Sequence, residues 1–300
     1  MIRNRTVKYD NHEKEWEEVL NNPSKASLGE SWFRKDTIDA WRHNRMRSFI
    51  DPFVDVDNDL SWITIGDGRY GTDANYLLCL GAKHVHATDI SDKLLSIGSK
   101  NGFINTFSAE NAEFLSCADN SYDYVLCKDA LHHCPRPFIA LDEMFRVAKK
   151  AVIFIEPRDQ LIDRSLFFNL YGVLRKLFLR PQIDYGFESV GNYVYSFSER
   201  EVEKFMLGMH FRYLAFAGCN DAYINGVEYF SANPKNIPEL ILNFRIRVKI
   251  IILNLLTLFK FRRTGTLICA LFKDKPSDLL KRKMQMSDWN FKELPVNPYL

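Results

Sequence analysis

Between residues 61 and 157 the apolar positions fall in short runs separated by amphipathic stretches, a spacing that predicts alternating strands and helices. Trp62, Ile63 and Ile65 read as a buried parallel strand that breaks at Gly66, Gly68 and Gly71. The pattern continues with a helix over 72–81, a strand over 84–89, a helix over 91–100, a short strand over 113–117, a strand over 122–128, a helix over 137–149 and a strand over 151–156. Such alternation argues for a parallel sheet with helices on both faces and its strand carboxyl ends along one ligand-binding edge. Ahead of it, Lys35 to Ile50 reads as an amphipathic helix whose Trp41, Met46 and Phe49 would pack on the sheet or over a pocket. After Pro157 the rhythm breaks into an aromatic-rich insertion over 158–197. Ser198 and Glu201 then form a capping box opening a helix that ends near Gly208. Phe211 to Ala217 and Thr266 to Phe272 read as strands, and the tail from Lys273 as polar surface. The layout is a helical extension over 1–59, a main domain over 60–275 with insertions at 158–197 and 219–265, and a tail over 276–300.

Composition narrows the function class. A hydrophobic content of 46% over 300 residues supports a large core, and a net charge of +2 gives no case for nucleic acid. Six cysteines without a CxxC pair fit reduced core residues and a cytoplasmic chain. No secretory leader or transmembrane span is expected, since the longest apolar run, Ile250 to Phe259, is too short to cross a bilayer. Arg245, Arg247 and Lys249 precede that run, and Lys260, Arg262 and Arg263 follow it. It reads first as a helix packed on the core or on a homodimer partner, with peripheral membrane contact through 245–263 as the alternative.

The chemistry starts at the glycines. Gly66-x-Gly68-x-x-Gly71 after a strand fits a dinucleotide fingerprint, and Asp89 ends the second strand where a carboxylate would hold ribose hydroxyls. A nicotinamide oxidoreductase and another nucleoside cofactor both remain open on those residues alone. The stretch Asn111-Ala112-Glu113 through Ser121-Tyr122-Asp123, an apolar strand, and Leu131-His132-His133 decides between them. Here the chain resembles the class I S-adenosylmethionine-dependent methyltransferases, in particular the group containing the ubiquinone-biosynthesis C-methyltransferases. The overall look of the chain, including its "Gly-Asp-Gly-Arg-Tyr-Gly" turn, also resembles bacterial enzymes of surface-glycan or other secondary biosynthesis. The resemblance covers residues 60–157 well, and 198–218 and 266–273 in outline.

It implies a doubly wound, mostly parallel seven-stranded α/β sheet with an antiparallel last strand, inserted lid segments, and S-adenosyl-L-methionine as cofactor. Gly66, Asp67, Gly68 and Gly71 would pass beneath the methionine part, Asp89 would hold the ribose, and Ile90 would pack on the adenine. Asn111 and Ala112 would read the adenine edge, and Lys128 would sit beside the methionine. Three departures stand out: Thr64 replaces an acid, Tyr70 fills a glycine position, and Asn111 replaces an adenine-reading acid.

A hydroxyl acceptor benefits from a general base, for which His133 is the candidate, with Asp129 as second base or orienter. Packing or loop capping is the competing role for the histidines, and no metal is expected. His132, Glu156, Glu188, Asn192 and Tyr195 are read as substrate contacts, with Asn220, Asp221 and Tyr223 as weaker ones. The preferred reaction is O-methylation of a sugar or glycan intermediate, free or lipid-linked. N- or C-methylation, a nicotinamide oxidoreductase and a catalytically silent binding subunit are the alternatives.

Overall fold

The computed structural model describes residue 14 and residues 18–160, 186–187 and 193–299. Helices α1 (Pro23–Ser31), α2 (Ile38–Arg47) and α3 (Asp51–Val56) precede the first strand, with a 3-10 turn at Ser48–Ile50 joining the last two. Then come β1 (Ser61–Ile65), α4 (Thr72–Cys79), β2 (His84–Asp89), α5 (Lys93–Lys100), β3 (Thr106–Ala109), β4 (Tyr122–Lys128), α6 (Pro137–Val147) and β5 (Ala148–Pro157). The second half supplies α7 (Glu199–Gly208), β6 (Tyr213–Ala217), α8 (Ile237–Leu258), β7 (Thr266–Phe272), α9 (Asp278–Met286) and β8 (Asn290–Glu293).

These strands form one sheet in the order β3-β2-β1-β4-β5-β7-β6-β8. The first five are parallel neighbours, and β7 runs antiparallel between β5 and β6. In β1, Trp62 packs into the core on one face while Ile63 and Ile65 pack into the other, as strand alternation requires. Both faces are covered by helices, which is why β1 is nearly continuously apolar.

Two expectations need correction. The third strand lies at Thr106–Ala109, not over 113–117. Around 113–117 the backbone amides go to side chains: Glu113 N donates to Asn111 Oδ1 and Leu115 N to Glu143 Oε2, each at 2.9 Å. Ser116 N likewise donates to Glu110 Oε2 at 2.9 Å, so few donors remain for a ladder. The tail is also more than surface chain. It adds α9 and an eighth strand, β8, which pairs antiparallel with β6 and buries Trp289 and Leu294. Most of the 158–197 insertion, proposed as a lid, lies outside the described residues.

Within 219–265 the long helix α8 packs Leu242, Ile246 and Ile250 against Ile38 and Trp41 of α2. Asn220 fixes the neighbouring loop by donating to Asn254 Oδ1 and Thr257 Oγ1 at 3.0 Å each. Arg42 of α2 grips the Asp221 carboxylate with two nitrogens and lies 5.3 Å from the Tyr223 ring. Those three candidates therefore hold α2 and α8 in place.

Candidate active site

The carboxyl ends of β1, β2 and β4 open into a cavity of about 600 Å³, within the usual range for small-molecule sites. Its floor is the turn after β1. Gly66 sits at φ 73°, and a Cβ there would come within 2.2 Å of the Ala130 Cβ, so the two turns can meet only with glycine at this position. Gly68 and Asp67 line the cavity beside it. The Asp67 carboxylate itself turns into the start of α4, accepting from Asp73 N at 3.0 Å, Ala74 N at 2.8 Å and Thr64 Oγ1 at 3.0 Å. Burial, and then the nearby Asp73 carboxylate, push its pKa up. Gly71 is set back from the cavity as the left-handed residue that starts α4.

The second wall comes from β2 and β3. Asp89 is buried at the end of β2, with Ile90 beside it, and both line the cavity with Asn111 and Ala112. The Asn111 carbonyl accepts the Glu113 amide, which fixes the side chain in a turn and leaves a second lone pair for a ligand. Glu110, unforeseen in the sequence, joins this wall.

The third wall carries charge. Lys128 ends β4 with its ammonium buried between the Asp129 carboxylate and His43 Nδ1, the latter at 2.7 Å. Burial would raise the Asp129 carboxyl, but the Lys128 charge outweighs it and holds the pKa well below the usual carboxylate range. His43 moves the other way: burial, then the Lys128 charge, lower its pKa to about 4, against the opposing Asp39 carboxylate. Neutral His43 accepts at Nδ1 and so carries its proton on Nε2, 3.4 Å from Asp39 Oδ1. His133 lines the cavity next to this group.

His43 and Arg47 reach the cavity from α2, four residues apart on one helix face. Arg69 and Trp32 also line the cavity, the guanidinium 5.0 Å from the indole centroid. The amphipathic pattern of 35–50 pointed to a helix over the pocket, but through its apolar residues; the polar pair His43 and Arg47 was the overlooked signal.

His132, Glu156 and Tyr195, expected at the substrate, turn inward. Glu156 is fully buried at the end of β5. Its Oε1 accepts from Ala130 N at 3.1 Å and Leu131 N at 2.7 Å, and its Oε2 pairs with His132 Nδ1 at 2.5 Å. A buried carboxylate needs such partners, and here they shape the turn that carries Asp129 and His133. Tyr195 donates its amide to the His132 carbonyl at 3.1 Å and its hydroxyl to Glu201 Oε1 at 2.6 Å. Glu188 and Asn192 lie outside the described residues.

The residues present fit S-adenosylmethionine. A glycine turn too close to its neighbour for a Cβ, a carboxylate at the end of β2 and an amide-bearing turn after β3 bound one cavity of suitable size. The sheet order, with β7 reversed beside β5, is that of the Rossmann-like methyltransferase fold. Residues 63–155 match the family described as "Methyltransferase domain", so this segment of the chain is a methyltransferase domain.

Among solved structures, the chain is similar to magnesium protoporphyrin IX methyltransferase from Synechocystis PCC 6803 with bound SAH. The TM-score is 0.50 at 14% identity, covering 87% of this chain and 100% of that one. It is also similar to the YcgJ protein from Bacillus subtilis, with a TM-score of 0.47, 16% identity, and 78% and 100% of the two chains covered. At 14% identity the likeness to the Synechocystis enzyme is one of fold. No curated protein matches the chain in sequence.

Proposed function

We propose that the chain methylates a hydroxyl of a small polar acceptor, a sugar or glycan biosynthetic intermediate. The observation that carries this reading is the chemical contrast between the cavity walls: Asp89, Ile90, Asn111 and Ala112 suit a nucleoside, while the wall of His43, Lys128, Asp129 and His133 is polar and presents the His133 imidazole as a proton acceptor. When bound, S-adenosylmethionine supplies an electrophilic methyl group. Asp89 accepts the ribose hydroxyls through charge-assisted hydrogen bonds, and the backbone of 66–68 runs beneath the methionine portion. The His133 imidazole takes the acceptor's hydroxyl proton. Asp129, kept ionised by Lys128, is a weak base and serves to orient the acceptor hydroxyl. The Arg69 charge and the Trp32 face lining the cavity favour a polyhydroxylated acceptor over a greasy one.

Calorimetric titration with S-adenosylhomocysteine and with NAD tests the cofactor half, and binding of NAD alone would overturn it. Mass spectrometry of metabolites from cells with and without the gene tests the acceptor. Loss of a methyl from a sugar oxygen is expected, and loss from nitrogen or carbon would replace the O-methyl reading.

A further inference from the structure

Helix α8 is apolar on two opposite faces. One packs into the molecule through Leu242, Ile246 and Ile250. The other exposes Ile237, Leu240, Phe244, Ile251, Leu255 and Leu258, with Phe244 at 66% and Leu258 at 72%. These residues follow helical spacing along 22 positions, a stripe about 33 Å long. Exposed apolar surface on this scale marks an interaction site.

Charge identifies the occupant. Arg245 and Lys249 border the stripe on one side, Arg247 on the other side lies with its guanidinium 4.4 Å from the Trp41 ring centroid, and Lys260, Arg262 and Arg263 follow its carboxyl end. From Leu240 to Arg263 the sequence contains six bases and no Asp or Glu. A second copy laid on this face would set these bases against each other, with Glu239 at the amino end as the single acid of α8. An anionic lipid surface meets both requirements, since it takes up the apolar stripe while its headgroups pair with the flanking bases. Among the described residues no helix is long and apolar enough to cross a membrane, so α8 would lie along the surface.

We infer that α8 is a docking face for an anionic membrane. The helix beneath it, α2, carries His43 and Arg47 into the cavity, so docking brings the active site within one helix layer of the lipid. This inference is independent of the acceptor's identity.

Sedimentation of the purified full chain with vesicles tests it, using phosphatidylcholine alone and one part phosphatidylglycerol to two parts phosphatidylcholine. The chain should sediment with the mixed vesicles, only weakly with the neutral ones, and less as salt rises. Arg245→Gln and Lys249→Gln should each weaken binding roughly fivefold. Ile251→Glu with Leu255→Glu should abolish binding while leaving the lipid-free melting temperature and S-adenosylhomocysteine affinity unchanged. Failure to bind mixed vesicles, or equal binding by the double variant, overturns the inference. So does a lipid-free dimer that the double variant dissociates, which would assign the face to a second copy. A lower melting temperature of the lipid-free double variant also overturns it, because the face would then be covered by the chain's own residues.

Discussion

At Tyr70 the backbone holds φ at 59°, a left-handed conformation that ordinarily selects glycine. The ring offsets that strain by packing 4.3 Å from the Phe33 centroid and 6.0 Å from that of Trp32, so the departure from the glycine pattern ties the N-terminal helices to the cofactor turn. His133→Ala should leave S-adenosylhomocysteine binding intact and slow turnover by roughly 10²–10⁴-fold; an unchanged rate would make His133 scaffold. His43 supplies a pH prediction. Unfolded histidine takes up its proton near about 6.5, whereas His43 does so only at about 4 in the fold. Between those values the unfolded state binds more protons, so this contribution to stability is present above pH ~6.5 and lost as pH falls toward ~4. Urea midpoints measured across that window should drop by the equivalent of roughly 3 kcal/mol or less, and His43→Gln should flatten the drop.

Among the elements, the short turn after β4 depends most on a distant partner. Glu156, at the end of β5, accepts two of its amides and pairs with His132, so one buried carboxylate sets the path of the chain from Asp129 to His133. Glu156→Ala leaves those buried donors unanswered and should cost about 3–5 kcal/mol in denaturant unfolding. Glu156→Gln keeps one acceptor oxygen and should recover part of the stability, with turnover falling more than cofactor affinity. Equal losses in both would mean that the whole pocket moves with the turn. The 113–117 stretch makes the same point in reverse: its Phe114 and Leu115 look strand-like, but side-chain acceptors from Asn111, Glu110 and Glu143 claim its amides first.

Across the whole molecule, β8 closes the sheet edge that β6 would otherwise expose. Trp289, just before β8, donates its indole N–H to the Phe49 carbonyl at 3.1 Å and packs 6.1 Å from the Phe53 ring centroid, joining the tail to the N-terminal helices. Trp289→Ala should therefore destabilise the fold by about 3–5 kcal/mol in urea titration, and a smaller effect would show that this corner repacks. The sequence by itself determined the strand–turn–helix at 61–79, Asp89 at the end of β2, and the capped helix at Ser198. Each is a local signal: an apolar run, a glycine break, or a capping residue one turn from its partner. Tertiary structure alone decided that His43 meets Lys128 across 85 positions, that Glu156 serves His132 instead of a substrate, and that a polar tail supplies a strand. Periodicity records which face a residue presents to the interior, but the partner waiting there is set by how distant elements cross.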